Sequence, residues 1–442
     1  MIPRRLIKNG RLIDPATGFD GNVDILIENG KIAEISSTIT INSHEDSTFE
    51  LINAEGLIIC PGFIDIHVHL REPGQEYKET IATGSKAAVR GGFTSIACMP
   101  NTNPVNDNVL VTRTILSKAE DAGLVNVFPV AAISKNSEGK QLVNMADLHK
   151  TGVKGFSDDG WCVMSRELFR EALKTAKRLN VPVIEHPEDH SITRDGQINE
   201  GKVSKMYGIK GMAAEAEDVI VARDIKLQQE VGAKLHLTHL STAGSVELVK
   251  NAKKKKKKKQ NNKDVGITCD ATPHHLLLTE DLIAGKKDPV YKMKPPLRTE
   301  KDRKALVEGI RSGIIDCIAS DHAPHASEEK NRDFQEAPFG VIGMETSFSV
   351  IYDRLVRTEI IDMKRLIELF STNPAKILAL TDRGRVEPGL PADLTLLDLN
   401  REFRIKAEAF HSKSTNCPFI GWEGRGVVVC TIVNGKVVYN NI

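Results

Sequence analysis

What most constrains this 442-residue chain is an alternation that runs from about residue 59 to residue 379. Short apolar strand-like runs recur there: FIDIHVHL, TSIACMP, VNVFPVAAI, VKGFSDDG, VPVIEHPED, KLHLTHLS, VGITCDATPHH and IDCIASDHAPH. Helical sequences such as NVLVTRTILSKAEDAG and SRELFREALKTAKRLN separate several of them. Eight strand candidates in roughly 320 residues favour an α/β fold of the closed (β/α)8 TIM-barrel type over an open sheet. In such barrels chemistry sits where strands end and loops begin.

The two ends of the chain read differently. RRLIKNGRLID, VDILIENGKIAEIS and GVVVCTIVNGKVVY each place Asn-Gly between runs of strand formers, which signals hairpins. Strands from both ends can bury each other's apolar faces. Residues 1–58 plus 380–442 are therefore expected to form one composite β-sandwich domain beside a catalytic barrel of residues 59–379.

Bulk properties narrow the function classes. A net charge of +1 gives no global field for nucleic acid or an anionic membrane. No apolar run has signal-peptide or membrane-span length. The seven cysteines are scattered, with no CxxC pair, as in reduced proteins of the cytoplasm. The run 253-KKKKKKKQNNK-263 reads as a solvated helix end or loop.

Polar residues gather at the strand ends. Alternate side chains of a strand share a face, so His67 and His69 point the same way, and Arg71 extends that face. Two imidazoles desolvated in an apolar strand without partners would be costly, which favours a shared metal ion. Other strand ends offer His186, His239, the pair Asp158 and Asp159, and the group Asp321, His322 and His325. His236, an odd number of residues from His239, should face away. Together these side chains can hold two zinc-type ions with one carboxylate shared. Such a site suits hydrolysis of an amide or its reverse.

The segments HVHLREPG, MPNTNPV, FSDDG, IEHPED, HLTHLST, TPHHLLLTEDL, KPPLR, ASDHAPH, APFGVIGMETSF and PFIGW resemble dihydroorotase of the amidohydrolase superfamily, in its longer class I form. The resemblance spans nearly the whole chain. It implies reversible, zinc-dependent cyclisation of N-carbamoyl-L-aspartate to L-dihydroorotate in pyrimidine synthesis. It also implies two Zn2+ ions per subunit. His67, His69 and Asp321 would hold the first, His186 and His239 the second, and Asp159 would bridge them. In related hydantoinases and allantoinases a carboxylated lysine bridges; Lys154 is the only nearby lysine on the same expected strand, five residues before Asp159.

By the same resemblance Asp321 is both ligand and proton shuttle, moving a proton between the attacking oxygen and the ring nitrogen. Arg71 and Asn101 would bind the substrate α-carboxylate. His69 and His325 would contact substrate, and the backbone of Phe339 and Gly340 would border its ring. Residues 326–337 are long and polar enough for a lid. One position departs from the family pattern: Lys294 stands where asparagine is usual, which brings a positive charge toward the substrate. His274 and His275 read as structural, and His44, His149, His190 and His411 as surface residues. The resemblance extends to partners, namely a homodimer and association with aspartate transcarbamoylase. The competing readings are another cyclic amidohydrolase, for hydantoins or allantoin, and a non-catalytic partner of the transcarbamoylase.

Overall fold

A computed structural model describes residues 4–40, 49–259 and 266–442. His44 and residues 260–263 of the lysine-rich run lie outside the described residues.

The N-terminal segment gives β1 (Arg5–Asp14), β2 (Phe19–Glu28), β3 (Lys31–Ser36), β4 (Glu50–Asn53) and β5 (Ile58–Pro61). Asn29–Gly30 turns β2 into β3 with both φ angles positive, as the hairpin signal requires. Asn9–Gly10 does not make a turn. It lies inside β1, where the pairing with β2 slips between Ile7 and Gly10. Asn9 takes the positive φ, its N–H bonds Asp24 Oδ1 at 3.0 Å, and a Cβ on Gly10 would stand 2.3 Å from the Ile59 side chain. The dipeptide therefore serves as a β-bulge with a close crossing beneath it.

The barrel strands follow: β6 (Phe63–Val68), β7 (Phe93–Cys98), β8 (Asn126–Ala131), β9 (Gly155–Phe156) and β10 (Val183–Glu185). A small two-stranded ladder, β11 (Ile198–Asn199) and β12 (Gly211–Met212), interrupts the order. The barrel then resumes with β13 (Leu235–Leu237), β14 (Ile267–Ala271) and β15 (Cys317–Ile318). The seven pairings along the barrel are all parallel and sequential, and the first strand meets the last through a Val68–His322 bridge and a 2.8 Å bond from His69 N–H to His322 O. The fold is a (β/α)8 barrel.

Finally β16 (Leu394–Arg404), β17 (Glu423–Val433) and β18 (Lys436–Asn440) return to the N-terminal strands. The sheet order is β18-β17-β16-β5-β1-β2-β3, with β4 on β1. Ile7, Val23, Ile25 and Ile27 from one end of the chain share a core with Leu394, Leu396, Val429 and Ile432 from the other. Here Asn434–Gly435 does turn the chain between β17 and β18.

Helices on the outside of the barrel are capped by side chains at their ends. Ser165 caps Arg166–Leu179 by accepting from Leu168 N–H, and the left-handed Asn180 closes it. The lysine run continues the helix Ala243–Lys259, and Lys253 anchors it with an ion pair to Asp316 at 2.6 Å.

Candidate active site

Six of the side chains singled out above meet at the C-terminal mouth of the barrel. His69 follows β6, Asp159 follows β9, His186 follows β10, His239 lies just past β13, and Asp321 follows β15. His67 is within β6. All six are buried, between 1% and 6% exposed. Three connected residues hold left-handed backbone conformations rare for non-glycine side chains: Arg71 (φ 60°), His239 (φ 39°) and Asp321 (φ 46°). Strain of this kind collects where side chains must be aimed.

Asp159 occupies the centre. Its Oδ1 lies 3.3 Å from His67 Nε2, 3.7 Å from His186 Nδ1 and 3.8 Å from His239 Nε2, and its Oδ2 lies 3.5 Å from His69 Nε2. Asp321 faces only the first pair: its Oδ1 is 3.6 Å from His67 Nε2 and 3.2 Å from His69 Nε2. The other nitrogen of most rings is engaged elsewhere. His69 Nδ1 bonds Asn101 Oδ1 at 2.8 Å, His67 Nδ1 bonds Thr238 Oγ1 at 2.8 Å, and His186 Nε2 bonds Glu188 Oε2 at 3.0 Å. The imidazoles thus present their remaining nitrogens to the two carboxylates.

These atoms fit a metal ion. His67 Nε2, Asp159 Oδ1 and His239 Nδ1 are buried without hydrogen-bond partners, a costly arrangement that a cation near the first two would relieve. His67, His69 and Asp321 form one group with ligand atoms within 4.8 Å of one another, and His67, Asp159 and His239 form a second. The electrostatics agree. Burial would lower the His67 pKa, but the Asp159 and Asp321 carboxylates raise it to about 10. Burial likewise opposes a charge on His186, yet hydrogen bonds to Asp159 and Glu188 lift it to about 9. The Asp159 and Asp321 carboxyls, despite burial, are held well below the usual range by the surrounding histidines. Two permanent anions inside a ring of imidazoles call for positive charge.

Above these side chains a cavity of about 160 Å³ is lined by His69, Arg71, Asn101, Asp159, Gly160, His186, His239, Lys294, Asp321, Ala323, His325, Phe339 and Gly340. Arg71 is 9% exposed, and its Nε donates to Pro324 O at 3.1 Å. Burial lowers its pKa to about 10, which leaves it charged at neutral pH.

Residues 56–245 match the dihydro-orotase-like family model and residues 310–439 the amidohydrolase family model. The dihydroorotase of Geobacter metallireducens is 46% identical over 434 residues, 98% of this chain and 99% of that protein. The dihydroorotase of Aquifex aeolicus is 44% identical over 436 residues, 99% of each chain. The chain belongs to the dihydroorotase family. Its architecture is also that of the L-hydantoinase (dihydropyrimidinase) from Arthrobacter aurescens, with a TM-score of 0.85 and 26% identity over 100% of this chain and 97% of that one.

Several residues of this dihydroorotase-family site differ in detail from their sequence reading. The Lys294 ammonium lines the cavity but is paired with Glu188 Oε2 at 3.0 Å. His325 Nε2 donates to Phe339 O at 2.8 Å, so its Nδ1 is the acceptor, 3.3 Å from Lys78 Nζ. Gly340 N–H and C=O are both bonded within the protein, to Lys292 O at 3.0 Å and from Asn416 Nδ2 at 2.9 Å. Gly340 has φ 133°, and a Cβ there would meet Ala323 O at 2.9 Å, so only glycine fits this wall.

Residues 326–337 are anchored. Phe334 is buried, and the buried Lys330 Nζ donates to Pro338 O and Gly340 O at 3.0 Å and to Lys292 O at 3.3 Å. His236 is buried against Thr268 and Asp270, and His322 faces Glu79. His275 bonds Thr272 Oγ1 and Pro295 O, whereas His274 Nε2 is buried without a partner. His190 is partly buried and accepts from Cys162 N–H at 3.1 Å.

Lys78, Glu188, Thr238 and Asp270 were not singled out from the sequence. Glu188 had a local signal, a carboxylate two residues from His186. The other three become visible only once the barrel brings distant segments together.

Proposed function

We propose that this chain is a zinc-dependent dihydroorotase. It closes N-carbamoyl-L-aspartate to L-dihydroorotate with release of water, and reopens the ring, as the third step of pyrimidine (UMP) synthesis. His67, His69 and Asp321 would hold one zinc ion and His186 and His239 the other, with the Asp159 carboxylate shared between them. The observation that carries this reading is the placement of Asp159, whose carboxylate faces all four histidines while Asp321 faces two. Bound divalent ions supply water activation near neutral pH and polarise the ring carbonyl.

The protein's own groups do the rest. In ring opening a C–O bond forms at the ring carbonyl, the adjacent C–N bond breaks, and the proton given up by water ends on nitrogen. Asp321 receives that proton and delivers it to nitrogen, running backwards in ring closure. Its carboxylate lies 3.2 Å from His69 and lines the cavity, so it can hold a proton beside the reacting atoms. Arg71 meets the substrate carboxylate through its planar fork, with Asn101 beside it. His325, Phe339 and Gly340 form the facing wall, and Lys294 adds positive charge at its edge.

A hydantoinase reading has support from the shared architecture, but Lys154 is absent from the cavity lining, and Asp159 holds the central place. The family reading also extends to a cytoplasmic location, a homodimer and association with aspartate transcarbamoylase, which sedimentation with and without that enzyme tests. The activity is tested by following dihydroorotate ring opening at its ultraviolet absorbance with zinc-loaded protein. Turnover of dihydroorotate well above that of hydantoin is expected; no turnover with zinc bound contradicts the proposal.

A further inference from the structure

Behind the cavity, a hydrogen-bond chain leads from His67 into the barrel interior. Thr238 Oγ1 lies 2.8 Å from His67 Nδ1 and 2.9 Å from Asp270 Oδ2. Asp270 is fully buried on β14. Its Oδ2 is also 2.8 Å from His236 Nε2, and its Oδ1 accepts the backbone N–H of His239 at 2.7 Å. His236, Asp270 and Cys317 approach one another closely enough to suggest an ion site. However, both His236 nitrogens are already bonded, Nδ1 to Thr268 Oγ1 at 2.8 Å and Nε2 to Asp270. The cluster is a hydrogen-bond network.

Donor and acceptor bookkeeping fixes the direction of this network. A threonine hydroxyl has one proton, and an ionised carboxylate only accepts. The Thr238 proton therefore points at Asp270, and its lone pair faces His67. His67 then keeps a proton on Nδ1 in either charge state, and Nε2 is the nitrogen free to meet an ion. That nitrogen is the one aimed at Asp159 and Asp321. The second oxygen of the same carboxylate holds the amide of His239, whose left-handed φ of 39° needs such a restraint.

We infer that Asp270, acting through the Thr238 hydroxyl and the His239 amide, is a positioning residue that sets one ligand histidine in each half of the two-ion site. The inference rests on the proposed metal reading of His67 and His239. Its consequence is specific. In Asp270→Asn the oxygen can keep the His239 N–H, while the new NH2 group faces Thr238. The hydroxyl must then turn and donate to His67 Nδ1, which moves the ring proton to Nε2 and blocks the ligand position. Thr238→Val removes the acceptor altogether, and Thr238→Ser keeps it.

The test is competitive zinc titration of metal-stripped, full-length protein against a chromophoric chelator. Asp270→Asn and Thr238→Val should each weaken zinc binding by about 10- to 100-fold, with Thr238→Ser within about threefold of wild type. Thr238→Val is nearly isosteric and decides the matter if Asp270→Asn does not fold. His67→Ala separates the two levels of the reading. If it leaves zinc affinity unchanged, the metal assignment fails. If it loses zinc while Thr238→Val and Asp270→Asn bind like wild type, the relay is overturned and the metal assignment stands.

Discussion

The floor and the rim of the cavity are built on opposite principles. The floor consists of imidazoles and carboxylates at strand ends, and three of the four rings are turned by a partner beside them: Thr238 under His67, Asn101 beside His69, Glu188 behind His186. The rim consists of loops held by cations that donate to backbone carbonyls. Lys330 grips Pro338 and Gly340, and Lys292 grips Phe334 O at 2.7 Å and Gln335 O at 3.0 Å. A floor of this kind concentrates charge where reacting atoms sit, whereas the rim shapes the space around them. The contrast predicts that floor substitutions abolish turnover or metal binding, and rim substitutions shift affinity or stability.

The largest effect is expected at Asp321. Asp321→Ala should lower kcat by about 10²- to 10⁴-fold through loss of the proton carrier, and near-normal turnover would remove Asp321 from that role. Arg71→Ala tests the boundary between the two regions. It should raise KM for dihydroorotate by about 10- to 100-fold, the worth of a charge-assisted pair, with a smaller change in kcat. A kcat loss as large as that of Asp321→Ala would place Arg71 in the floor.

Lys294→Asn should change kcat/KM by less than about tenfold, because a partly exposed ion pair contributes little and Glu188 keeps its bonds to His186 and, at 2.5 Å, to Thr193. A loss above about 100-fold, near the worth of a charge-assisted hydrogen bond, would show that Lys294 meets substrate directly.

The smallest effect is a pH dependence of stability at the rim. Burial pushes the Lys330 pKa down to about 7 and that of Lys292 to about 8. An unfolded lysine titrates near about 10.4. Between these values the unfolded chain binds more protons, so the stability contribution of these lysines rises with pH above about 7 and is least below it. The thermal midpoint of Lys330→Gln should therefore rise less between pH 7 and pH 9 than that of wild type. Parallel curves would mean that Lys330 keeps its proton throughout.

The same contrast explains what could be read from the sequence. His67 and His69 were legible because a strand alternates, and the eight strand candidates were legible because apolar runs recur between helices. The supports of the floor were not. Thr238 reaches Asp270 only because β13 pairs with β14, with His236 opposite Thr268, and no local pattern encodes that register. At the rim, length and polarity suggested a lid over 326–337, yet buried Lys330 and Phe334 tie the segment down. The charge of Lys294 was visible, but its partner Glu188 lies more than a hundred residues earlier. The bulge at Asn9–Gly10 carries a hairpin dipeptide, and the crossing of Ile59 beneath Gly10 decided its use.

The central claim is that Asp159 joins two metal sites into one. The most direct measurement is zinc per chain, by elemental analysis of equilibrated protein, in wild type and Asp159→Ala. The account predicts two ions in wild type and loss of both from Asp159→Ala, with the chain still folded by circular dichroism. Retention of two ions without Asp159 would contradict it.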